Sequence, residues 1–466
     1  MKKLVLLIMA LQIGYSMFSQ DITGQWNGVL EVQGLRLRVV FHIEQTDNGL
    51  ISTMDSPDQG AKDIPVTSVS FENKVLKLAV KNAGIEYEGI LSEDGTVKGD
   101  FRQAGQSFPM VLTREAIEPQ KKIRPQDPIK PYPYVEEEIT FANIKAGITL
   151  AGTLTLPKKE GIFPGVVLIT GSGPQNRDEE LLGHRPFLVL SDYLTRNGIA
   201  VLRFDDRGTA ASTGDFKTAT SVDFSTDVDA AVAYLKTRKE IDKKKIGLIG
   251  HSEGGIIAPI VAVGSKDVAF IVLLAGTGIR GDQLLLLQQE LIGKAMNMSD
   301  SDLVKTKTIN RGAFDIILNT SDTEKLKKDL QDYLKKVMAD HPEMEVPEGM
   351  SEEELINVQI EELTSPWMQY FIRYNPGEML VKVECPVLAI NGEKDLQVPP
   401  GINLSEIKKA LQKGGNKNVT IKELPGLNHL FQECETGSPS EYATIDQTFS
   451  PKALKVVLEW IQKQTK

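Results

Sequence analysis

The chain has 466 residues, 41% of them hydrophobic and 25% charged, with a formal net charge of −10. Such a length exceeds one small core and implies two or three folding units of ordinary globular composition. An acidic chain without a basic tract argues against nucleic acid as a partner, and two cysteines cannot make a disulfide scaffold.

Residues 1–20 read as a signal peptide. Lys2 and Lys3 precede an apolar run from Leu4 to Ile13, and Gly14, Ser16 and Ser19 supply a small-residue exit. The run is too short for a membrane span, which needs about 20 residues. The expectation is therefore an exported protein, periplasmic or secreted, without a stable membrane anchor.

Residues 21–115 follow period two. Leu35, Leu37, Val39, Phe41 and Ile43 alternate with Arg36, Arg38, Val40 and His42, as in a half-buried strand. Later short apolar runs are separated by turns such as Asp47-Asn48-Gly49 and Glu93-Asp94-Gly95. This is an all-β accessory domain, a small barrel or sandwich, and the possibilities for its role include holding a homodimer together. Pro119, Pro125, Pro128, Pro131 and Pro133 then mark residues 116–134 as an extended linker.

From 135 to 466 the rhythm changes. Val166-Val167-Leu168-Ile169 is a continuous apolar run, suited to a strand buried on both faces. Helix candidates at 186–197 and 222–237 alternate with strands at 199–204, the run before Ser252, and 269–274. Alternation of this kind predicts a parallel sheet with helices on both faces. Between about 277 and 383 there are helical periodicities and no strand candidate, which predicts a helical cap over the strand ends. Trp367, Tyr370, Phe371 and Tyr374 are candidates for a substrate pocket beneath it, and equally for the cap's own core. The strand and helix rhythm resumes at Pro386.

Gly250-His251-Ser252-Glu253-Gly254, between an apolar strand and a small-residue helix, has the form of a nucleophile elbow. Its glycines suit a turn in which strand and helix pass closely. A serine hydroxyl is a poor nucleophile and needs a base, itself oriented by a carboxylate. In the order serine, acid, histidine, Asp395 follows the strand Pro386–Ile390 and the turn Asn391-Gly392. Glu393 competes, but it sits within the turn itself. The base is His429, after the strand Val419–Leu424. His42 falls in another domain, His184 and His341 fall elsewhere, and His251 is fixed beside the nucleophile. Metal-ligand spacing is absent, and neither a metal nor a cofactor is expected.

On Gly250–Gly255, Asn391–Asp395, Leu427-Asn428-His429 and Arg203-Phe204-Asp205-Asp206-Arg207-Gly208, the chain from about Val135 to Lys463 resembles α/β-hydrolase fold serine esterases. The particular likeness is to bacterial exported esterases and the aminopeptidase-like hydrolases near them. The resemblance implies an α/β-hydrolase fold with a helical cap and an oxyanion hole built from two backbone amides. One is Glu253. The other is Ser172, in Thr170-Gly171-Ser172-Gly173, where many relatives have His-Gly. It also implies that Asp205, Asp206 and Arg207 form a structural loop network.

The expected activity is hydrolysis of a small-molecule carboxylic ester of a small or medium acyl group, through an acyl-enzyme on Ser252, Asp395 and His429. Two rivals stand beside it. One is a peptidase of the same fold, with Glu361 and Glu362 as candidates for holding a substrate amine. The other is a binding protein that kept the fold without the chemistry. Thioester cleavage is too close chemically to be separated by sequence.

Overall fold

Alternating apolar residues can bury one face of a strand only if a second sheet covers it, and the first part of the chain solves this with two antiparallel sheets. The computed structural model describes residues 21–466 apart from 33–34, 48, 58–60, 104–105, 119–123, 345 and 347–350, so the leader-like segment 1–20 lies outside the described residues. The chain divides into two compact units, the first ending at Glu118 and the second taking Pro119–Val346 and Met350–Lys466.

In the first unit β1 (Gly24–Val32), β2 (Leu35–Thr46), β3 (Gly49–Ser56) and β4 (Ala61–Pro65) form one sheet in that order. A second sheet holds β5 (Ser68–Glu72), β6 (Val75–Val80), β7 (Ile85–Leu91), β8 (Val97–Gln103) and β9 (Gln106–Leu112). Two backbone hydrogen bonds between Asn27 and Thr113, 2.7 and 2.8 Å, join the sheets along one edge. Their shared core contains Trp26, Phe41, Leu76, Tyr87, Phe101 and Met110. Trp26 is buried there because its one polar atom is satisfied, Nε1–H donating to the Ile22 carbonyl at 2.7 Å.

The second unit is built on one eight-stranded sheet. Its strands are β10 (Val135–Asn143), β11 (Ile148–Leu156), β12 (Phe163–Ile169), β13 (Ala200–Phe204), β14 (Ile241–His251), β15 (Phe270–Leu274), β16 (Val387–Gly392) and β17 (Val419–Leu424). The order is β10-β11-β13-β12-β14-β15-β16-β17. The first two pairings are antiparallel and the rest parallel. Continuous apolar strands are needed because both faces are covered. Val167 and Leu248 enter one core with Val228, Ile257 and Ile407, while Leu168 and Ile249 enter the opposite core with Leu190, Val457 and Ile461. The helices that supply those partners are α1 (Pro186–Arg196), α2 (Ser221–Thr237), α3 (Gly254–Gly264) and, near the chain's end, the segments Pro400–Lys413 and Pro451–Gln464.

The sheet is interrupted between β15 and β16 by six helices: α4 (Gly281–Ala295), α5 (Asp300–Asn319), α6 (Thr323–Asp340), α7 (Glu352–Leu363), α8 (Pro366–Arg373) and α9 (Pro376–Leu380). They bury a core of their own, with Leu286, Phe314, Ile317, Leu330, Ile360 and Ile372 among its members. A smaller cluster of Ile256, Ile279, Leu284, Phe371 and Val398 ties this cap to α3 behind the Ser252 turn. The fold is thus an α/β-hydrolase sheet with a helical cap, preceded by an all-β unit. The proline-bearing segment before β10 packs onto the hydrolase unit: Arg124 is 1% exposed and donates to the carbonyls of Leu182, Ala443 and Ile445. Cys385 and Cys434 are both free thiols.

Candidate active site

The turn after β14 holds Ser252 at φ +52°, a left-handed conformation that costs an L-residue about 1–2 kcal/mol. Neighbouring backbone fixes it there. Ser252 N–H donates to the Leu274 carbonyl of β15 at 2.9 Å, and the Ser252 carbonyl accepts from Gly255 N–H. The turn closes only on glycine: a Cβ at Gly250 would lie 2.0 Å from the Gly254 carbonyl oxygen, and one at Gly254 would lie 2.3 Å from that of Ile169. The strain is held by the packing of three chain segments.

Asp395 lies in the loop after β16 and is 2% exposed. Its Oδ1 accepts from the backbone N–H groups of Gln397 and Val398, both at 2.8 Å. Oδ2 is thereby aimed at His429 Nδ1, 2.8 Å away. Glu393, the competing acid, is exposed and accepts instead from Gly426 N–H. His429 is held in turn by Asn428, whose Oδ1 accepts from Leu430 and Gln432 N–H and so folds the loop around it. Asp395 and His429 are therefore paired through Nδ1, and Nε2 makes no hydrogen bond among the described residues. His429 is adjacent to the elbow, since its carbonyl oxygen lies 3.0 Å from Nε2 of His251, the residue before Ser252. Among the described residues no hydrogen bond joins the Ser252 hydroxyl to His429; such contacts are often loose without substrate.

The loop after β12 supplies the opposite wall. Gly171 N–H is taken by Glu179 Oε1 at 2.7 Å. The next amide, Ser172 N–H, has no protein partner among the described residues, and neither does Glu253 N–H at the start of α3. Gly171 sits so close that a Cβ there would be 3.3 Å from Ser252 Cβ. Asp206 anchors this loop at both ends, accepting from Thr170 Oγ1 at 2.7 Å and Gln175 N–H at 2.9 Å. Burial pushes its carboxyl well above the usual range. Asp205 is held by Arg177, and Arg207 by Asp227.

The cap aromatics take different places. Trp367 Nε1–H donates to Glu253 Oε1 at 2.9 Å, which sets its indole directly against the residue after Ser252. Phe371 stacks on Trp367 at 5.0 Å and is buried among α3 and α4 side chains. Tyr370 and Tyr374 line an open cavity of about 570 Å³ together with Arg373, Asn375, Glu378 and Lys382, away from Ser252 and His429. Burial, with the Glu253 carboxylate adding to it, pushes the Tyr370 phenol up to about 12. Glu361 and Glu362 are exposed on α7.

Three residues that matter to this geometry carry no motif. Glu179, itself at φ +52°, is one acid among several in Asp178-Glu179-Glu180. Ser221 donates its hydroxyl to Glu253 Oε1 at 2.6 Å. His251, a motif position usually free to vary, is hydrogen-bonded at both ring nitrogens.

The chain is 27% identical to esterase EstD of Thermotoga maritima over 324 residues, 68% of this chain and 65% of that protein, so the match spans just under two thirds of the relative's length. It is 23% identical to an uncharacterized 31.7 kDa protein of the traX-finO intergenic region of Escherichia coli, over 70% of this chain and 99% of that one. Among solved structures, the α/β hydrolase GrgF from Penicillium sp. sh18 aligns over 71% of this chain and 99% of its own, with 16% identity and a TM-score of 0.42. Est1E from Butyrivibrio proteoclasticus, with ferulic acid bound, aligns over 70% and 99%, with 18% identity and a TM-score of 0.39. The pattern of one family matches residues 104–406, well over half of the sequence. By that match the chain belongs to the X-Pro dipeptidyl-peptidase (S15) family.

Proposed function

We propose that this protein is a serine hydrolase that cleaves carboxylic esters of small or medium acyl groups through an acyl-enzyme. The observation that carries the reading is the buried His429–Asp395 pair, 2.8 Å across, lying beside a serine held at φ +52°. Ser252 Oγ attacks the acyl carbon while His429 Nε2 takes its proton. The carbonyl oxygen, now an anion, is received by the unpartnered amides of Ser172 and Glu253 at the positive end of α3. Asp395 holds the imidazolium through Nδ1. As the intermediate collapses, the ester bond breaks and His429 returns the proton to the departing alcohol. Water then repeats the sequence against the acyl-enzyme and releases the acid. Similarity to an esterase supports the choice of ester, and the leader-like residues 1–20 support export.

A second reading, cleavage after an X-Pro dipeptide, is favoured by the description of the family itself. The same Ser252, Asp395 and His429 would serve it, with an amine as leaving group.

The test compares full-length protein with Ser252→Ala on p-nitrophenyl acetate and on an X-Pro p-nitroanilide, with a fluorophosphonate label as a site reporter. Ester turnover and labelling that both vanish in Ser252→Ala are expected. Turnover of the anilide alone would replace the esterase reading by the peptidase one. Equal ester turnover in both proteins would remove Ser252 as nucleophile.

A further inference from the structure

His251 and Glu179 lie outside the acid–base pair, yet they connect the two loops that the reaction needs. Glu179 Oε1 receives two donors, Gly171 N–H at 2.7 Å and His251 Nδ1 at 2.9 Å. On the other side of the ring, His251 Nε2 lies 3.0 Å from the His429 carbonyl oxygen. A carbonyl can only accept, so Nε2 carries a proton. The proton between Nδ1 and Oε1 belongs on the imidazole, because Oε1 already accepts the Gly171 N–H and serves both donors as a carboxylate oxygen. Both ring nitrogens are then protonated, and His251 is a buried cation 8% exposed at its side chain against a carboxylate 7% exposed.

We propose that the His251 imidazolium, paired with Glu179, is a positioning group that fixes the oxyanion-hole loop and the His429 loop relative to Ser252. The inference rests on the serine-hydrolase reading above. One contact chain runs from the Gly171 amide, next to the proposed donor Ser172, through Glu179 and the His251 ring to the backbone of the base. A neutral ring could serve only one end. Losing the Nε2 proton frees the His429 carbonyl, and losing the Nδ1 proton sets two bare acceptors against each other.

The surroundings favour the charged form. Burial opposes it, but the Glu179 charge and hydrogen bond, the His429 carbonyl and the more distant Asp395 outweigh burial, and the His251 pKa lies above its ordinary value. The charged or titratable groups around it are Glu179, His429 with its ring centroid 4.8 Å away, Asp395 behind that ring, and Asp206 near Glu179. The remaining ring neighbour, Phe431 at 6.4 Å, is apolar.

Two measurements test this. Nitrogen chemical shifts of His251 are expected to report a doubly protonated ring at neutral pH, and a neutral ring would overturn the proposal whatever the activity. The kcat/KM–pH profile for p-nitrophenyl acetate is then compared among the native protein, Glu179→Gln and His251→Gln. The acid limb should stay in place. The alkaline limb should move down by at least about one pH unit in Glu179→Gln, which loses the carboxylate that holds the proton. In the same variant kcat should fall about tenfold or more with KM nearly unchanged, the pattern of an interaction made in the transition state. His251→Gln, whose amide can still donate to the His429 carbonyl but cannot titrate, should lack that limb. An alkaline limb in Glu179→Gln at the native position would overturn the proposal and leave the pair as packing. Ester turnover that survives Ser252→Ala would instead overturn the serine-hydrolase reading, a separate outcome read on a separate variant.

Discussion

Asp395 spends one oxygen on its own loop and the other on His429, and that division defines what its replacement should do. In Asp395→Asn the amide oxygen can keep the Gln397 and Val398 N–H groups only by turning its NH2 toward His429 Nδ1, which must then accept. The base is left in the wrong tautomer, and kcat should drop by roughly 10³–10⁴, the range seen for such changes in serine triads. Burst kinetics with p-nitrophenyl acetate would report it, and a drop of less than tenfold would argue against the assigned role. Glu253 makes a different prediction. Its burial, only partly offset by hydrogen bonds from Ser221 and Trp367, raises its pKa. A raised folded-state pKa stabilises the protein fully below the unfolded value and progressively less as pH rises through the folded one. Glu253→Gln keeps an acceptor for both donors without the charge. Its Tm should therefore gain on the native Tm as pH rises through that window, and thermal scans across pH that run parallel would refute this. At this scale the sequence was readable where a residue ends a strand. Ser252, Asp395 and His429 each follow a strand, β14, β16 and β17 in turn, which is what made them candidates. Glu179 lies ten residues into a loop with acids on both sides, and only the chain's path reveals which of them turns inward.

The elbow is an element whose parts are glycines for a measurable reason. Gly250→Ala would drive a methyl to 2.0 Å from the Gly254 carbonyl oxygen, so strand and helix must separate. The expected loss is about 3 kcal/mol, at the upper end for overpacking, with fluorophosphonate labelling abolished. Urea unfolding measures the first and gel fluorescence the second; a normal midpoint with normal labelling would contradict the packing account. Longer elements were legible because periodicity had room to show. The strand Val419–Leu424 and the helix Glu352–Leu363 can be read to the residue. The helices α8 and α9 cannot, since eight and five residues give too few turns for a stripe. Their prolines at the first helical position, Pro366 and Pro376, were the available signal. Missing α8 hid the placement of its aromatics. Trp367 bonds to Glu253 while Tyr370 and Tyr374 line a cavity further along the same helix.

At the scale of the whole molecule, two units each close a core of their own, one around Trp26 and Phe41 and one on the two faces of the eight-stranded sheet. Calorimetry is expected to resolve two transitions, and deleting residues 21–118 should remove the smaller one while fluorophosphonate labelling persists. A single transition, or loss of labelling on deletion, would mean that the units fold as one. The change of rhythm from period two to alternating strands and helices made this division visible, because each period demands its own kind of partner layer. What no period could show is that Arg124, within the proline-rich stretch, is buried in the hydrolase unit. An arginine among prolines reads as solvent-facing until the carbonyls of Leu182, Ala443 and Ile445 are found around it.

The cap buries its own core through α4 to α8, and the cluster behind the elbow shares only a few of its side chains. Most cap positions are thus released from any duty to the sheet. Over generations, substitutions on α5, α6 and α7 can accumulate without disturbing Ser252, whereas Trp367 is bound to its neighbour Glu253 and Phe371 packs on α3. A lineage built on this plan would rewrite most of the cap while inheriting the elbow unchanged, with α8 as the boundary between drift and constraint.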